Sequence, residues 1–155
     1  MLLKTLSRLT NFNKLEAQTI YVIIILIEIK DLRIIMKKIL IVDDEQDIVE
    51  SLKFVLEASG YTCYCAYNGE DGLHLAKEIV PDLIILDVMM PKINGYKISR
   101  LLKYDNKYKD IPIIMVTARS QLEDKMIGEE TGVNEYITKP FELDAIVKKV
   151  EEYLK

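Results

Sequence analysis

Four stretches of this 155-residue chain are apolar or strand-like runs that stop at a polar group able to do chemistry. Ile41-Val42 runs into Asp43-Asp44, Leu83-Ile84-Ile85-Leu86 into Asp87, Ile113–Val116 into Thr117-Ala118, and Tyr136-Ile137-Thr138 into Lys139-Pro140. Three carboxylates brought together repel one another, and without a counter-ion at least one would protonate. A divalent cation resolves the conflict, and carboxylate, carbonyl and water oxygens are the hard ligands that suit Mg²⁺. Lys139 supplies a second positive charge, and the two together keep Asp87 ionised and able to attack phosphorus. Phosphoryl transfer asks a protein mainly for in-line positioning and neutralisation of three equatorial oxygens. A metal on one oxygen, the Thr117 hydroxyl on another and the Lys139 ammonium on the third would meet that need. Ala118 leaves room for the group to enter, and Pro140 is a candidate for a cis bond that would fix the loop aiming Lys139.

The elements that must position these groups follow from the pattern after Met36. All-apolar runs this short read as strands buried on both faces, as in a parallel sheet. Strands are expected at Ile39–Val42, Tyr61–Ala66, Leu83–Leu86, Ile111–Val116 and Glu135–Thr138. Between them lie helical patterns: Ile48, Leu52, Val55, Leu56 and Ser59 before a capping Gly60, then Leu73, Ala76 and Ile79 after an Asn68-Gly69 start signal. A third helix runs from Gly95 to about Lys103 with Ile98, Leu101 and Leu102 inward, and a fourth from Ser120 to about Thr131, ending at Gly132. The last spans Glu142–Leu154, with Leu143, Ile146, Val147, Val150 and Leu154 on one side. Five strands alternating with five helices imply βαβ units, hence an α/β doubly wound sandwich of three layers around a parallel five-stranded sheet. In such a sheet the C-terminal strand ends converge on one edge, where ligands bind.

Composition narrows the function classes. The net charge is −4, and after residue 35 it is −6, which disfavours a nucleic-acid or anionic-membrane surface. Cys63 and Cys65 lie two apart on one strand and point to the same face, so no disulfide framework is implied, which suits a reducing cytoplasm. Gly72 inside the second helix costs about 1 kcal/mol relative to alanine, with no role assigned. The single His74 reads as a solvated helix residue.

Residues 1–35 contain no glycine or proline and hold the apolar block Ile20–Ile27, followed at once by Glu28, Lys30, Asp31 and Arg33. The block is well short of the roughly 20 residues that span a bilayer. No small-x-small cleavage site follows, so a signal peptide is rejected. The reading is an N-terminal extension ahead of the true start at Met36, with an interfacial anchor or added edge strand as alternatives. Residues 36–155 are expected to form the functional domain, with no output domain expected after it.

The pair Asp43-Asp44, Asp87-x-x-x-Pro91-x-x-x-Gly95, Thr117-Ala118 and Tyr136-x-x-Lys139-Pro140-Phe141 together resemble the receiver domain of two-component response regulators, over Lys37–Lys155. The resemblance implies a flavodoxin-like (βα)5 fold with strand order 2-1-3-4-5, and a stand-alone, chemotaxis-regulator-like protein in the cytoplasm. It implies that Asp87 takes a phosphoryl group from a sensor histidine kinase or histidine phosphotransferase, in an Mg²⁺-dependent reaction that the domain itself catalyses. Asp44 and Asp87 would ligate the metal directly, Asp43 largely through water, and the Met89 backbone carbonyl would complete the set. It further implies a switch in which Thr117 moves to the phosphoryl group and Tyr136 turns inward. That would remodel the face made by the fourth helix (Ser120–Thr131), the fifth strand and the fifth helix. The downstream partner is a protein, no nucleic acid or membrane span is expected, and the molecule would be a monomer or weak phosphorylation-dependent dimer. Met89 and Arg119 stand where the family varies and tunes phosphoryl lifetime.

Two other aspartyl or α/β chemistries fit less well. A flavin-dependent electron carrier needs a Gly/Ser/Thr-rich phosphate cradle after the first strand, where this chain has Asp43-Asp44-Glu45-Gln46-Asp47. A haloacid-dehalogenase-like phosphatase needs an aspartate two residues after its nucleophile, where this chain has Met89. A pseudo-receiver that never takes phosphate is opposed by the complete acidic set.

Overall fold

The computed structural model describes residues 14–118 and 132–155. The chain divides into two compact units, Met1–Met36 and Lys37–Lys155. The described part of the first is one helix, α1 (Lys14–Ile35), not an edge strand. Its apolar residues are spread around the helix, and Leu15, Tyr21, Val22, Ile23, Leu26 and Ile27 are exposed. Among the described residues no helix is long and apolar enough to cross a membrane.

The second unit alternates β1 (Lys38–Val42), α2 (Gln46–Ala58), β2 (Thr62–Ala66), α3 (Gly69–Ile79), β3 (Leu83–Asp87), α4 (Gly95–Lys103), β4 (Ile113–Thr117), β5 (Glu135–Thr138) and α5 (Leu143–Tyr153). The helix expected at Ser120–Thr131 lies outside the described residues. All four strand pairings are parallel, and the order is β2-β1-β3-β4-β5. This is the flavodoxin-like doubly wound arrangement, with β1 and β3 at the point where the order reverses.

Ile39–Val42 of β1, Leu83–Leu86 of β3 and Ile113–Val116 of β4 are apolar at every position because both sheet faces are covered there. Leu40, Val42, Ile84, Leu86, Ile113 and Met115 face one side, with Ala76, Ile98 and Leu102 of α3 and α4. Ile39, Ile41, Leu83, Ile85, Ile114 and Val116 face the other, with Val49, Leu52 and Leu56 of α2 and Ile146 and Val150 of α5. Each such side chain, removed fully from water, contributes about 1.5–3 kcal/mol before ordering entropy is counted.

Two helix faces differ from expectation. In α2 the fully buried positions are Val49, Leu52 and Leu56; Ile48 and Val55 pack at the margins, and Ser59 is an exposed C-cap. In α4, Leu101 is exposed, contrary to its expected inward place. Ile98 and Leu102 sit one turn apart, Gly95 and Ser99 fill out the same arc, and Leu101 falls off its edge. Leu143, Ile146, Val147, Val150 and Leu154 of the last helical stretch do share one face against the core.

Close approach requires glycine at positions that shape the site's surroundings, Gly72 and Gly95 among them. A Cβ on Gly72 would run into the Val42 side chain, which is what the helix-interior glycine accomplishes: α3 lies tight on β1. A Cβ on Gly95 would meet the Asp87 carbonyl, and Gly95 N–H donates to Val88 O at 3.1 Å, closing the β3–α4 loop on itself.

Candidate functional site

The topology brings the C-terminal ends of β1, β3, β4 and β5 to one edge, and with them the groups that the sequence marked. Asp43 leaves β1 with its N–H donating to Ala66 O at 3.2 Å. Asp43 and Asp87 are buried while Asp44 is exposed, and one carboxylate oxygen from each lies within 4.8 Å of the others. Asp43 Oδ1 accepts from Glu45 N–H at 2.9 Å, which turns its second oxygen inward.

Lys139 reaches across from the end of β5, where the Lys139–Pro140 peptide is cis. Its backbone N–H donates to Thr117 O at 2.8 Å, fixing the start of the side chain. Its Nζ lies 2.8 Å from Asp43, 3.0 Å from Asp87 and 2.7 Å from Glu45. Burial works against the ammonium's charge, but hydrogen bonds to Asp43, Glu45 and Asp87 outweigh it and raise the Lys139 pKa above the usual lysine value. Burial also pushes the Asp87 carboxyl up; Lys139 pulls it back down, Asp43 pushes it up again, and the Met89 N–H hydrogen bond lowers it. The net direction for Asp87 is upward, as expected for clustered acids with one cation to share.

Thr117 is fully buried at the end of β4 beside this cluster, and Ala118 lines an open groove of about 610 Å³ with Glu45, Lys139, Pro140 and Phe141. Tyr136 is half-buried in β5, packed against the cluster that holds Met115, with its hydroxyl out of solvent. Met89 is exposed in the loop after β3, while its neighbour Met90 is buried. Arg119 lies outside the described residues.

Glu45 had not been singled out. Its place directly after the acidic pair was the available signal, since a carboxylate there sits at the N-cap of α2, within reach of the lysine. The acidic cluster fits a hard divalent cation: among the described residues Asp44 has no side-chain partner, and the Asp43 and Asp87 oxygens, although bonded to Lys139 and to backbone N–H groups, keep further lone pairs able to ligate.

The parallel β2-β1-β3-β4-β5 sheet thus sets an acidic trio and a lysine together at its carboxyl edge. The family model described as "Response regulator receiver domain" matches residues 39–151, and the chain belongs to that family. Over 120 residues it is 38% identical to the DNA-binding dual master transcriptional regulator RpaA of Synechocystis, covering 77% of this chain and 50% of that protein. The chain thus spans about half the length of that curated relative. Among solved structures it is similar to the chemotaxis protein CheY4 of Vibrio cholerae, with TM-score 0.73 and 31% identity, covering 77% of this chain and 99% of that one. The BeF3-activated receiver domain of DrrB from Thermotoga maritima gives TM-score 0.70 and 31% identity, covering 77% and 97%.

Proposed function

We propose that Asp87 accepts a phosphoryl group from a phosphohistidine on a sensor kinase or phosphotransferase, and that the charge change is passed to a partner protein. The observation that carries this is the Lys139 ammonium, held 3.0 Å from Asp87 inside the acidic cluster. In the step, an Asp87 oxygen attacks phosphorus, the P–N bond to the donor imidazole breaks, and the imidazole leaves with the bonding pair. Lys139 neutralises one phosphoryl oxygen, and the Thr117 hydroxyl donates to another. Asp43, Asp44, Asp87 and the Met89 carbonyl would hold Mg²⁺, which offsets the charge that these acids would otherwise oppose to an incoming anion. Water later attacks the same phosphorus, the bond from phosphorus to the Asp87 oxygen breaks, inorganic phosphate leaves, and Asp87 returns to a carboxylate.

The output would run through Thr117 and Tyr136. A phosphoryl group draws the Thr117 hydroxyl toward it, and the Tyr136 ring fills the volume left behind, shifting the population of the surface around β5 and α5. The acidic balance supports a protein partner over nucleic acid, and the free thiols of Cys63 and Cys65 suit a reducing cytoplasm. DNA binding is named for the RpaA relative, of which this chain spans about half. Residues 37–155 would suffice for the chemistry.

The test is intact-mass analysis after incubation with acetyl phosphate and Mg²⁺. One added phosphoryl group is expected, absent in Asp87→Asn and absent after chelation. Equal labelling of wild type and Asp87→Asn would remove Asp87 as the acceptor.

A further inference from the structure

Lys92 to Lys109 carries six basic residues and a single acidic one, inside a chain whose net charge is −4. Much of this charge is occupied. Lys92 pairs with Glu70 at 3.4 Å, Lys109 bonds Asn106, and Lys103 turns inward to Lys109 O, Ile111 O and Asn134. Lys97 and Arg100 are left exposed on α4 with no carboxylate partner among the described residues. They recur with Leu101 and Tyr104 at i, i+3, i+4 and i+7, so the four form one stripe opposite the arc of Ile98 and Leu102. Leu101 and Tyr104 are 44% and 78% exposed. A cationic stripe with two bare apolar side chains is thus the outer face of α4.

The outer face of α2 has the opposite character. Asp47, Glu50, Phe54 and Glu57 share one side of that helix, and Phe54 is 74% exposed. Lys53, the helix's only base, is half-buried on the flank. Each stripe sets an exposed apolar centre among charges of one sign, and the two signs are complementary. One copy cannot join them. α2 packs on the sheet face of Ile41 and Ile85, and α4 on the face of Val42 and Leu86. The sheet stands between the stripes.

We propose that the α2 stripe of one copy docks on the α4 stripe of a second copy. The contact is heterologous, so it leaves one free stripe at each end and adds copies in a row without closing into a pair. Two helical stripes bury less than the roughly 1,200 Å² of a stable complex, so association is weak, fast and salt-sensitive.

Sedimentation velocity of the full chain over a concentration series at low salt tests this. The weight-average mass should rise with concentration, and the rise should disappear in about 0.5 M salt, where screening shortens the reach of charge. Lys97→Glu with Arg100→Glu makes both stripes acidic, and Glu50→Lys with Glu57→Lys makes both basic; each double variant alone should associate about tenfold or more weakly. An equimolar mixture of the two should associate again, because each unlike stripe finds its complement. Thermal melts check that the variants fold, and Phe54→Ala and Tyr104→Ala give a milder second test of each face, each weakening association. A constant monomer mass at every concentration would overturn the proposal. So would association that survives reversal of either face, or a mixture that stays as weak as its components.

Discussion

Two runs of apolar residues in this chain use nearly the same amino acids and meet opposite fates. Ile20–Ile27 in α1 is helical, and Tyr21, Val22, Ile23, Leu26 and Ile27 are exposed. Leu83–Asp87 is extended and buried at every position. Richness in β-branched residues therefore decides neither conformation nor burial. The buried run has a strand on each side at matched register and helices on both sheet faces, supplied by the repeating strand–helix units around it. The exposed run has no such repeat in its own sequence.

The sharpest way to break this contrast is at the ends of the two runs. Asp87→Asn should abolish phosphoryl uptake, whereas starting the chain at Met36 should leave uptake intact; a truncated protein unable to accept phosphate by intact mass would make the extension part of the machinery. Next in size is the packing itself. Ile85→Ala should cost about 2–5 kcal/mol in urea denaturation, and Ile23→Ala under about 0.5 kcal/mol. Similar losses at both sites would show that α1 is covered in solution.

The charge trapped beside the buried run gives a third test. Burial raises the Asp87 pKa, so protonation competes with a metal at a higher pH than it would at an ordinary aspartate. The affinity for Mg²⁺, followed by calorimetry, should decline on acidification beginning above the usual carboxylate range; a flat affinity down to about pH 4 would contradict the raised value. The smallest expected effect is on phosphoryl lifetime. Met89 is a poor hydrogen-bond partner for an attacking water, and a carboxamide there could orient one. Met89→Asn should speed decay roughly fivefold, about 1 kcal/mol of barrier. Decay measured after removing the donor decides it, and an unchanged or slower rate would defeat the screening argument.

The sheet was legible in the sequence because a strand buried on both faces leaves a continuous apolar run, and three of those runs, with the half-buried β5, ended in the groups now found at one edge. Helix faces were less so. Neighbouring apolar residues such as Ile48 and Val49, or Leu101 and Leu102, compete for one arc, and only the packed sheet decides which wins. Gly72 carried no sequence signal of its own, since its reason is the Val42 side chain, remote in sequence. Glu45 was hidden for a similar cause: its partner Lys139 is 94 positions away. In α1 the β-branched block masked a helix, because nothing between Lys14 and Ile35 stops one: no glycine, no proline, and propensity costs of only a few tenths of a kcal/mol per residue.

The stitch between Gly95 N–H and Val88 O has a consequence for how this module can drift over generations. Surface loops ordinarily absorb insertions and deletions with little harm. The segment from Val88 to Asn94 is different, because its two ends are joined at a neck whose far side is the Asp87 carbonyl, with no room for even a methyl group. Its spelling is free to change, as at the exposed Met89, but its length is not. An added residue would have to open the neck or push Asp87 off the end of its strand.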